Sequence, residues 1–350
     1  MAQHDRFSER ADDAWLASRV EEILDPALPI IDPHHHLWVR DGNTYLLPEL
    51  LVDLNSGHAV AATVFEECHS MYRPAGPEED RSLGETEFVT GFAAMGASGT
   101  FGRTRFCARM VGYVDLTLGN RAKGLLEQHV ATSGGRFAGV RFSTAWHAHD
   151  RIHKVAPRAG ILLEPGFREG FACLNALGLV FDAWVYHTQL GEVAALAAAF
   201  PDTTIMLNHV GTPILGGPYS GRFDEAFAEW SAGMAALARQ TNVCVKLGAL
   251  PIRLPGAPAA PRDAPPSSES VAAAWRPFIE RSIALFGADR CMFESNFPVQ
   301  KRWCSYPVVW NAFKHLVAGA SAEEKAALFQ RTAARVYKVG GQDREEPCPK

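Results

Sequence analysis

Paired cysteines are the first thing that this sequence lacks. Its 350 residues include seven cysteines, an odd number, and no two of them form a Cys-x-x-Cys pair. Secreted domains held together by disulfides are much shorter and richer in cysteine. The cysteine pattern therefore predicts free thiols and a cytoplasmic protein.

Excess basic charge and long apolar runs are also missing. Lys and Arg total 34 against 39 Asp and Glu, a formal net charge of −5, which argues against a nucleic-acid partner bound through a general basic surface. No apolar segment is long enough to cross a bilayer, and residues 1–28 lack the features of a signal peptide. We therefore expect no nucleic-acid partner, no membrane partner, and a small-molecule substrate, for which a local basic pocket remains open.

Hydrophobic residues are plentiful, at 47% of the chain, so a large core can form. Before the core begins, Trp15, Leu16, Val20, Ile23 and Leu24 recur at helical spacing among charged residues. This spacing predicts that residues 1–28 form a helical extension whose amphipathic helix lies against the domain.

From residue 29 onward, short β-rich runs alternate with longer segments rich in Ala and Leu. The predicted strands are Pro29–His36, Val60–Phe65, Cys107–Val114, Phe137–Ser143, Leu179–His187, Thr203–His209, Asn242–Leu247 and Arg290–Ser295. Eight strands alternating with helices predict parallel pairing and a closed α/β barrel. We therefore expect a single (β/α)8 TIM barrel over residues 29–340 and a tail at 341–350.

Long insertions follow several of the predicted strands. One of them, Pro251 to Ser270, has six prolines in twenty residues and is interpreted as a loop and not as a linker between domains. Because insertions that follow strands lie at the carboxyl-terminal face of a barrel, where barrel active sites are found, this face is predicted to be the working face.

The end of the first predicted strand is unusually rich in histidine. In an extended strand, Asp32, His34 and His36 project to one face, while His35 projects to the other. Two imidazoles on one face can hold one metal ion, and a nearby carboxylate such as Asp32 can fix the tautomer of a ligating ring.

Polar side chains also follow most of the other strands. Because the ends of parallel strands converge on one face of a barrel, such clustering is typical of a catalytic site. These side chains are Glu66, Glu67, Arg141, His187, His209, Lys246, Glu294 and Asn296.

Several segments resemble a known family, the amidohydrolase-related (amidohydrolase 2) branch of the amidohydrolase superfamily. Asp-x-His-x-His followed by Trp38 resembles its opening signature, and Asn208–Pro213 resembles its sixth-strand Asp-His-x-Gly-x-Pro segment. Val243–Ala249, Arg290–Pro298 and Thr332–Tyr337 are similar to its later motifs. The resemblance runs from about residue 29 to 338. It implies a distorted (β/α)8 barrel similar to 2-pyrone-4,6-dicarboxylate lactonase, to sugar lactonases and to metal-dependent aromatic decarboxylases.

The resemblance implies a divalent metal, Zn or Mn. His34 and His36 would supply two ligands, and His187 or His209 the third. Relatives that work without a tightly held metal are also known in the lactonase branch, where histidines polarise a carbonyl as hydrogen-bond donors. Both alternatives stay open at this point.

Asn296 is the main departure from the family pattern, since the matching Asp in relatives takes the proton from the attacking water. An amide does not titrate, so another base is needed. Glu294 shares a strand face with Asn296, and Glu67 can reach inward from the second strand. Glu294 can equally be a buried ion-pair partner of Lys246 or Arg141.

The sequence thus favours a hydrolase that adds water to a polarised carbonyl, with a carboxylate-bearing lactone as substrate. Catalysis is assigned to Glu294 or Glu67 with His187, His209 and Asn296, and Arg141 and Lys246 would hold a substrate carboxylate or the oxyanion. Trp146 and Arg302 lie on the long loops, where they can either contact the substrate and determine specificity or pack the loops against the barrel. The alternatives are a metal-dependent decarboxylase of an aromatic acid and a barrel without catalysis; a homo-oligomer is compatible with either.

Overall fold

The computed structural model describes residues 11–40, 42–251 and 264–340, in which eight parallel strands form one sheet in chain order. A separate antiparallel hairpin follows the first strand. The strands are β1 (Ile30–His35), β2 (Trp38–Arg40), β3 (Asn43–Tyr45), β4 (Val60–Glu66), β5 (Arg105–Gly112), β6 (Phe137–Ser143), β7 (Val180–Trp184), β8 (Ile205–Leu207), β9 (Val243–Leu247) and β10 (Cys291–Phe293). Only β2 and β3 lie outside the barrel sheet.

Backbone hydrogen bonds join the end of β1 to the segment that follows β10 and nearly close the sheet. His36 N donates to Phe297 O at 2.7 Å, and Asn296 N donates to His34 O at 2.9 Å. The predicted distorted (β/α)8 TIM barrel is confirmed. These contacts bring the two outer strands of the sheet together at the predicted site.

Helices surround the barrel and bury its outer face. They are α1 (Asp13–Ala17), α2 (Leu47–Leu54), α3 (Leu83–Ala97), α4 (Ala122–Thr132), α5 (Pro165–Ala176), α6 (Leu190–Ala199), α7 (Phe223–Leu237), α8 (Ser268–Phe286), α9 (Tyr306–Leu316), α10 (Ala322–Ala326) and α11 (Thr332–Tyr337). Aromatic rings connect the layers: Phe293 of β10 stacks on Phe313 of α9 with ring centroids 4.4 Å apart. None of the described helices combines the length and apolar character needed to cross a membrane.

The expected amphipathic helix in residues 1–28 is much shorter than predicted. Within residues 11–28 the helical part is Asp13–Ala17, where Asp12 accepts a hydrogen bond from Trp15 N as N-cap, and Val20 is 89% exposed. The segment that follows docks through hydrogen bonds, because Lys314 Nζ donates to the carbonyl oxygens of Leu24 and Asp25. Tertiary contacts therefore replace helical ones there, and residues 1–10 lie outside the described part.

Two further differences concern loops. The hairpin of β2 and β3 was not predicted, because strands of three residues carry too little periodicity. The proline-rich loop was predicted to reach residue 270, but α8 begins at Ser268, where Ser267 accepts a hydrogen bond from Ser270 N as its N-cap. Residues 252–263 of this loop and the predicted tail at 341–350 lie outside the described residues.

Candidate active site

A cavity of about 710 Å³ opens at the carboxyl-terminal face of the barrel. Its walls come from the loops after the strands and combine aromatic, apolar and basic side chains. Among the residues that line it are His36, Trp38, Arg40, Glu67, His69, Arg141, His153, Trp184, Tyr186, His209, Leu250, Asn296, Arg302 and Trp303. A cavity of this size, with few polar groups on an apolar wall, is typical of a small-molecule site.

The polar groups at the bottom of this cavity form two layers. We call the cavity-lining set His36, Glu67, Arg141, His209 and Asn296 the floor. Beneath it lies a second set of side chains with no exposed surface, which we call the buried layer: His34, Glu66, Asp182, Lys246 and Glu294. Side chains of the floor can contact a ligand, whereas those of the buried layer can only position the floor side chains and set the electrostatic potential around them.

Lys246 is the cation at the centre of the buried layer. Its Nζ lies 2.7 Å from Asp182 Oδ2 and 2.8 Å from Glu66 Oε2. Burial lowers the pKa of Lys246, but the two carboxylates more than offset this and the net pKa lies above its usual value. Burial and the neighbouring Asp182 raise the pKa of Glu66 to about 8. Lys246 is therefore held as a cation, and Glu66 is mainly protonated at neutral pH.

His34 is a neutral imidazole between two cations. Lys246 Nζ lies 3.3 Å from its Nδ1, and Arg141 Nη1 lies 3.3 Å from its Nε2. Burial, reinforced by Lys246, holds the pKa of His34 well below its usual range. The ring is therefore in the neutral form that metal ligation requires, while Lys246 and Arg141 would have to move away from its nitrogens for an ion to bind.

His209 and Glu294 form a pair that joins the two layers. After β8 the backbone turns through left-handed conformations, with φ of 56° at His209 and 48° at Val210. Glu294 Oε1 accepts hydrogen bonds from His209 Nδ1 at 2.7 Å and from His209 N at 3.1 Å. A carboxylate at Nδ1 favours the tautomer with its proton there, which directs the acceptor side of the ring, Nε2, away from Glu294.

His36 and Asn296 face each other on the floor. His36 Nδ1 donates to Glu66 O at 2.8 Å, and its Nε2 lies 3.2 Å from Asn296 Oδ1. Burial and the Arg141 cation hold the pKa of His36 well below its usual range, so the ring is neutral and Nε2 has a lone pair. Two acceptor atoms 3.2 Å apart can share a cation that lies between them. Alternatively, rotation of the Asn296 amide lets its N–H donate a hydrogen bond to His36 Nε2.

Arg141 is bound rigidly at the floor. Its Nε donates to Glu67 Oε1 at 2.7 Å, its Nη2 donates to Glu67 O, and its guanidinium lies 5.7 Å from the Trp184 ring centroid. Burial opposes the charge, but Glu67 and Glu66 raise the pKa of Arg141 above its usual value. Arg141 is therefore a permanent cation, and one N–H on each of Nη1 and Nη2 remains for a ligand.

A metal ion fits one part of this site. His34, His209 and Glu294 each offer a ligand atom, and these atoms lie within 4.8 Å of one another. Glu294 Oε2 is buried and makes no hydrogen bond among the described residues, although it lies 2.9 Å from His34 Nδ1. Two neutral imidazoles and a carboxylate form a common catalytic zinc set. The structure thus groups His34 and His209 with Glu294, whereas the sequence grouped them with His36.

Not every predicted site residue reaches the cavity. His187 follows β7 in a short turn, where its Nδ1 accepts a hydrogen bond from Ile214 N and its ring contacts Tyr219. Burial lowers the pKa of His187 to about 4. Trp146 packs beside Lys154 away from the floor, Lys246 lies in the buried layer, and Arg302 lines the cavity mouth.

Contrary to the expectation from the sequence, Asp32 makes no hydrogen bond to the ring of His34 or His36 among the described residues. Its oxygens accept hydrogen bonds from Ser295 N at 3.1 Å and from Tyr306 Oη at 3.0 Å, so it ties β1 to the end of β10. Glu66 O instead fixes the His36 tautomer. A register shift in β1 between Asp32 and His35 breaks the simple alternation on which the prediction relied.

Sequence reasoning missed Asp182 and His69. Asp182 lies inside the apolar run Val180–Trp184. A carboxylate in such a run needs a buried cationic partner, so the sequence indicated that Asp182 has one. The structure shows that this partner is Lys246. His69 lines the cavity with 61% of its side chain exposed, and adjacency to Glu67 was its only sequence signal.

The closed barrel and its histidine-rich floor define a member of the amidohydrolases. The model of the amidohydrolase family named Amidohydro_2 matches residues 31–339, so the chain belongs to this family.

Individual relatives agree with this assignment. An uncharacterised protein of Sinorhizobium fredii is 31% identical over 89% of this chain and 99% of its own length. L-fucono-1,5-lactonase of Burkholderia multivorans is 26% identical over 88% of this chain and 95% of its own length. The crystal structure of a zinc-bound amidohydrolase from Burkholderia multivorans has a TM-score of 0.67 at 25% identity, covering 89% of this chain and 99% of that one.

More distant structures share the fold alone. One is a manganese-bound 5-carboxyvanillate decarboxylase from Novosphingobium aromaticivorans, with a TM-score of 0.56 at 13% identity over 90% of this chain and 97% of that one. Lactonases and decarboxylases thus both occur among the proteins that this chain is similar to.

Proposed function

We propose that the protein is a hydrolase that opens a carboxylate-bearing lactone by adding water to the ring carbonyl. The observation that supports this most directly is the Glu294–His209 pair, a buried carboxylate 2.7 Å from the Nδ1 of a cavity-lining imidazole. Such a pair leaves Nε2 ready to take a proton from water, as in other hydrolases that activate an oxygen nucleophile through histidine. The predicted direct base, Glu294, then acts through His209.

Arg141 is positioned to stabilise the charge that develops on the carbonyl oxygen. Its two remaining N–H groups project from a guanidinium fixed by Glu67 and His34, so little reorganisation is needed as charge appears. Preorganised donors of this kind contribute most in a site that excludes water. Arg302, at the cavity mouth, is the matching candidate for the substrate carboxylate.

A divalent ion would be held by His34, His209 and Glu294, and it would supply a Lewis acid that polarises the carbonyl. With an ion bound there, His209 would be a ligand and could not also accept the proton of the water, whereas Arg141 would keep its role beside the carbonyl oxygen. His36 and Asn296 complete the floor beneath the carbonyl, and Trp38, Trp184 and Tyr186 give an apolar wall that excludes water.

The second candidate is a non-oxidative decarboxylase of an aromatic acid. The histidine and carboxylate set for a metal favours it, together with the aromatic cavity wall. Asn296 counts against it, because relatives of that branch use an aspartate at this position. A barrel without catalysis is the third candidate.

A substrate panel separates the three candidates. Purified protein, with its metal content measured by elemental analysis, is mixed with carboxylated lactones, their neutral esters and aromatic acids, and acid release is followed with a pH indicator. We expect acid release from a carboxylated lactone and no CO₂ from any aromatic acid. CO₂ release without lactone opening would support the decarboxylase, and no turnover across the panel would support the barrel without catalysis.

A further inference from the structure

We propose that His69, on the loop after β4, donates the proton to the alkoxide that leaves when the lactone ring opens, with Glu67 as the carboxylate that orients it. This inference rests on the proposed hydrolase function and extends it. Ring opening needs an acid as well as a base, because an aliphatic alkoxide is a poor leaving group. The Glu294–His209 pair takes the proton of the water on one side of the cavity, so an acid for the ring oxygen on the opposite side must be another group.

The barrel topology places His69 across the cavity from that base. In the closed order of eight strands, β4 is second and β8 is sixth, so the two strands lie on opposite sides of the barrel. Glu67 and His69 follow β4, and His209 follows β8. A lactone on the floor between them can therefore receive water on one side and release its ring oxygen toward the other.

Glu67 has one oxygen available for His69. Its Oε1 accepts the hydrogen bond from Arg141 Nε at 2.7 Å. Its Oε2 is buried, makes no hydrogen bond among the described residues, and lies 3.5 Å from His69 Nε2. Burial of a carboxylate oxygen without a hydrogen-bond donor costs free energy. A small rotation of the His69 imidazole would let its Nε2–H donate a hydrogen bond to Glu67 Oε2.

The loop that bears His69 is held in a strained conformation. His69 and Met71 have φ of 59° and 56°, in the left-handed region that residues other than glycine rarely adopt. Glu85 Oε1 accepts hydrogen bonds from the backbone N–H groups on both sides of His69, those of Cys68 at 3.0 Å and Ser70 at 2.8 Å. Strain maintained by a buried carboxylate in this way is typical of functional loops.

The imidazole is fixed in orientation but open to water. Its ring lies 5.3 Å from the rings of Tyr72 and of Tyr113, while 61% of the side chain is exposed. The same imidazole is therefore in reach of a ligand in the cavity and of solvent.

The steps balance in atoms and charge. Water loses one proton to His209 Nε2, and its oxygen bonds to the carbonyl carbon to give a tetrahedral oxyanion beside Arg141. The bond from that carbon to the ring oxygen then breaks, the electron pair stays on the ring oxygen, and the His69 imidazolium protonates it. The product acid and His209 release protons to solvent, from which His69 is recharged.

The test compares two leaving groups. The probes are a carboxylated γ-lactone of an aliphatic alcohol and a carboxylated dihydrocoumarin, whose leaving oxygen is a phenol that departs without acid assistance. His69→Gln should lower kcat for the aliphatic lactone by roughly 10²–10³-fold and leave the phenolic lactone within about threefold. Added imidazole should restore part of the aliphatic rate in His69→Ala. His153→Gln, the same change at another cavity-lining imidazole, should affect both lactones equally.

The outcomes separate this inference from the function on which it rests. Equal losses for both lactones in His69→Gln, or no loss for either, would overturn the role of His69 and leave the hydrolase intact. If the wild-type protein opens neither lactone, the hydrolase assignment is wrong and the role of His69 is overturned with it. Loss confined to the aliphatic lactone supports both.

Discussion

The identity of the base depends on whether Glu294 reaches the cavity directly or lies behind His209. The sequence places Glu294 and Asn296 on one strand face, which makes Glu294 an obvious replacement for the missing aspartate. β10 ends at Phe293, however, and Glu294 lies in the buried layer with His209 between it and the cavity. A carboxylate in that position orients an imidazole and fixes its tautomer.

Glu294→Gln tests this assignment. The glutamine amide can present an N–H to His209 Nδ1, which moves the ring proton to Nε2 and removes the base. We expect kcat to fall by roughly 10²–10⁴-fold with little change in thermal stability. Asp53→Asn is the control, because it makes the same carboxylate-to-amide change at a buried site bonded to Tyr45 and Lys301. Near-normal kcat in Glu294→Gln would assign the base elsewhere.

Two arginines should differ in what they recognise. Arg141→Met should lower kcat by roughly 10²–10³-fold for a carboxylated lactone and for its neutral ester alike, because Arg141 faces the oxyanion. Arg302→Met should weaken binding of the acid alone, by roughly 1.5–3 kcal/mol. Steady-state kinetics of both variants on both substrates provide the check. A loss confined to the acid in Arg141→Met would instead assign carboxylate recognition to Arg141.

Asn296→Asp should strengthen metal binding. The new carboxylate would lie about where Oδ1 now lies, 3.2 Å from His36 Nε2, and would add a second carboxylate to a site that now offers one, that of Glu294. We expect zinc affinity to rise at least about tenfold, since one added charged interaction is worth roughly 1.5–3 kcal/mol. Competition with a chelator measures it. Unchanged affinity would place the metal, if any, away from Asn296.

At the scale of elements, the sequence predicted the eight barrel strands well but not where their polar ends point. Predicted and observed limits coincide for β6, and β9 begins one residue later than predicted. β7 and β8 are shorter than predicted, so His187 and His209 lie in turns beyond the strands. Alternation along a strand gives no orientation for side chains in such turns, and the two layers of the site could not be predicted from it.

The loop held by Glu85 should make stability depend on pH. Burial and the neighbouring Glu67 raise the pKa of Glu85 from 4.5 to about 8. The folded state therefore binds this proton more tightly than the unfolded chain. Its contribution is present below about pH 4.5 and declines, by up to about 1.4 kcal/mol per pH unit, as pH rises toward 8.

Glu85→Gln removes that titration while keeping a carbonyl acceptor for the backbone N–H groups of Cys68 and Ser70. Denaturant unfolding measured from pH 5 to 8 should give a shallower decline for the variant than for the wild-type protein, with Glu66 still contributing the same sign in both. Parallel curves for the two proteins would show that Glu85 does not titrate in this range.

At the scale of the whole molecule, the barrel was predictable because two periodicities alternate eight times and because turn residues separate them. The prediction that the sheet forms a barrel followed from the number of strands, which is eight. Contacts between distant segments could not be predicted where loops make them: Glu294 with His209, and Glu85 with the loop of His69, both depend on how irregular segments return to the floor. Such pairs set the chemistry, so fold was easier to predict than mechanism.

The central claim is that this barrel adds water to a lactone carbonyl. The most direct test incubates the purified protein with the carboxylated lactones in oxygen-labelled water and measures the product by mass spectrometry. We predict a hydroxy acid that has gained one water, with a single labelled oxygen in the new carboxylate. Unconverted lactone throughout the panel, or conversion of an aromatic acid with loss of CO₂, would contradict the claim.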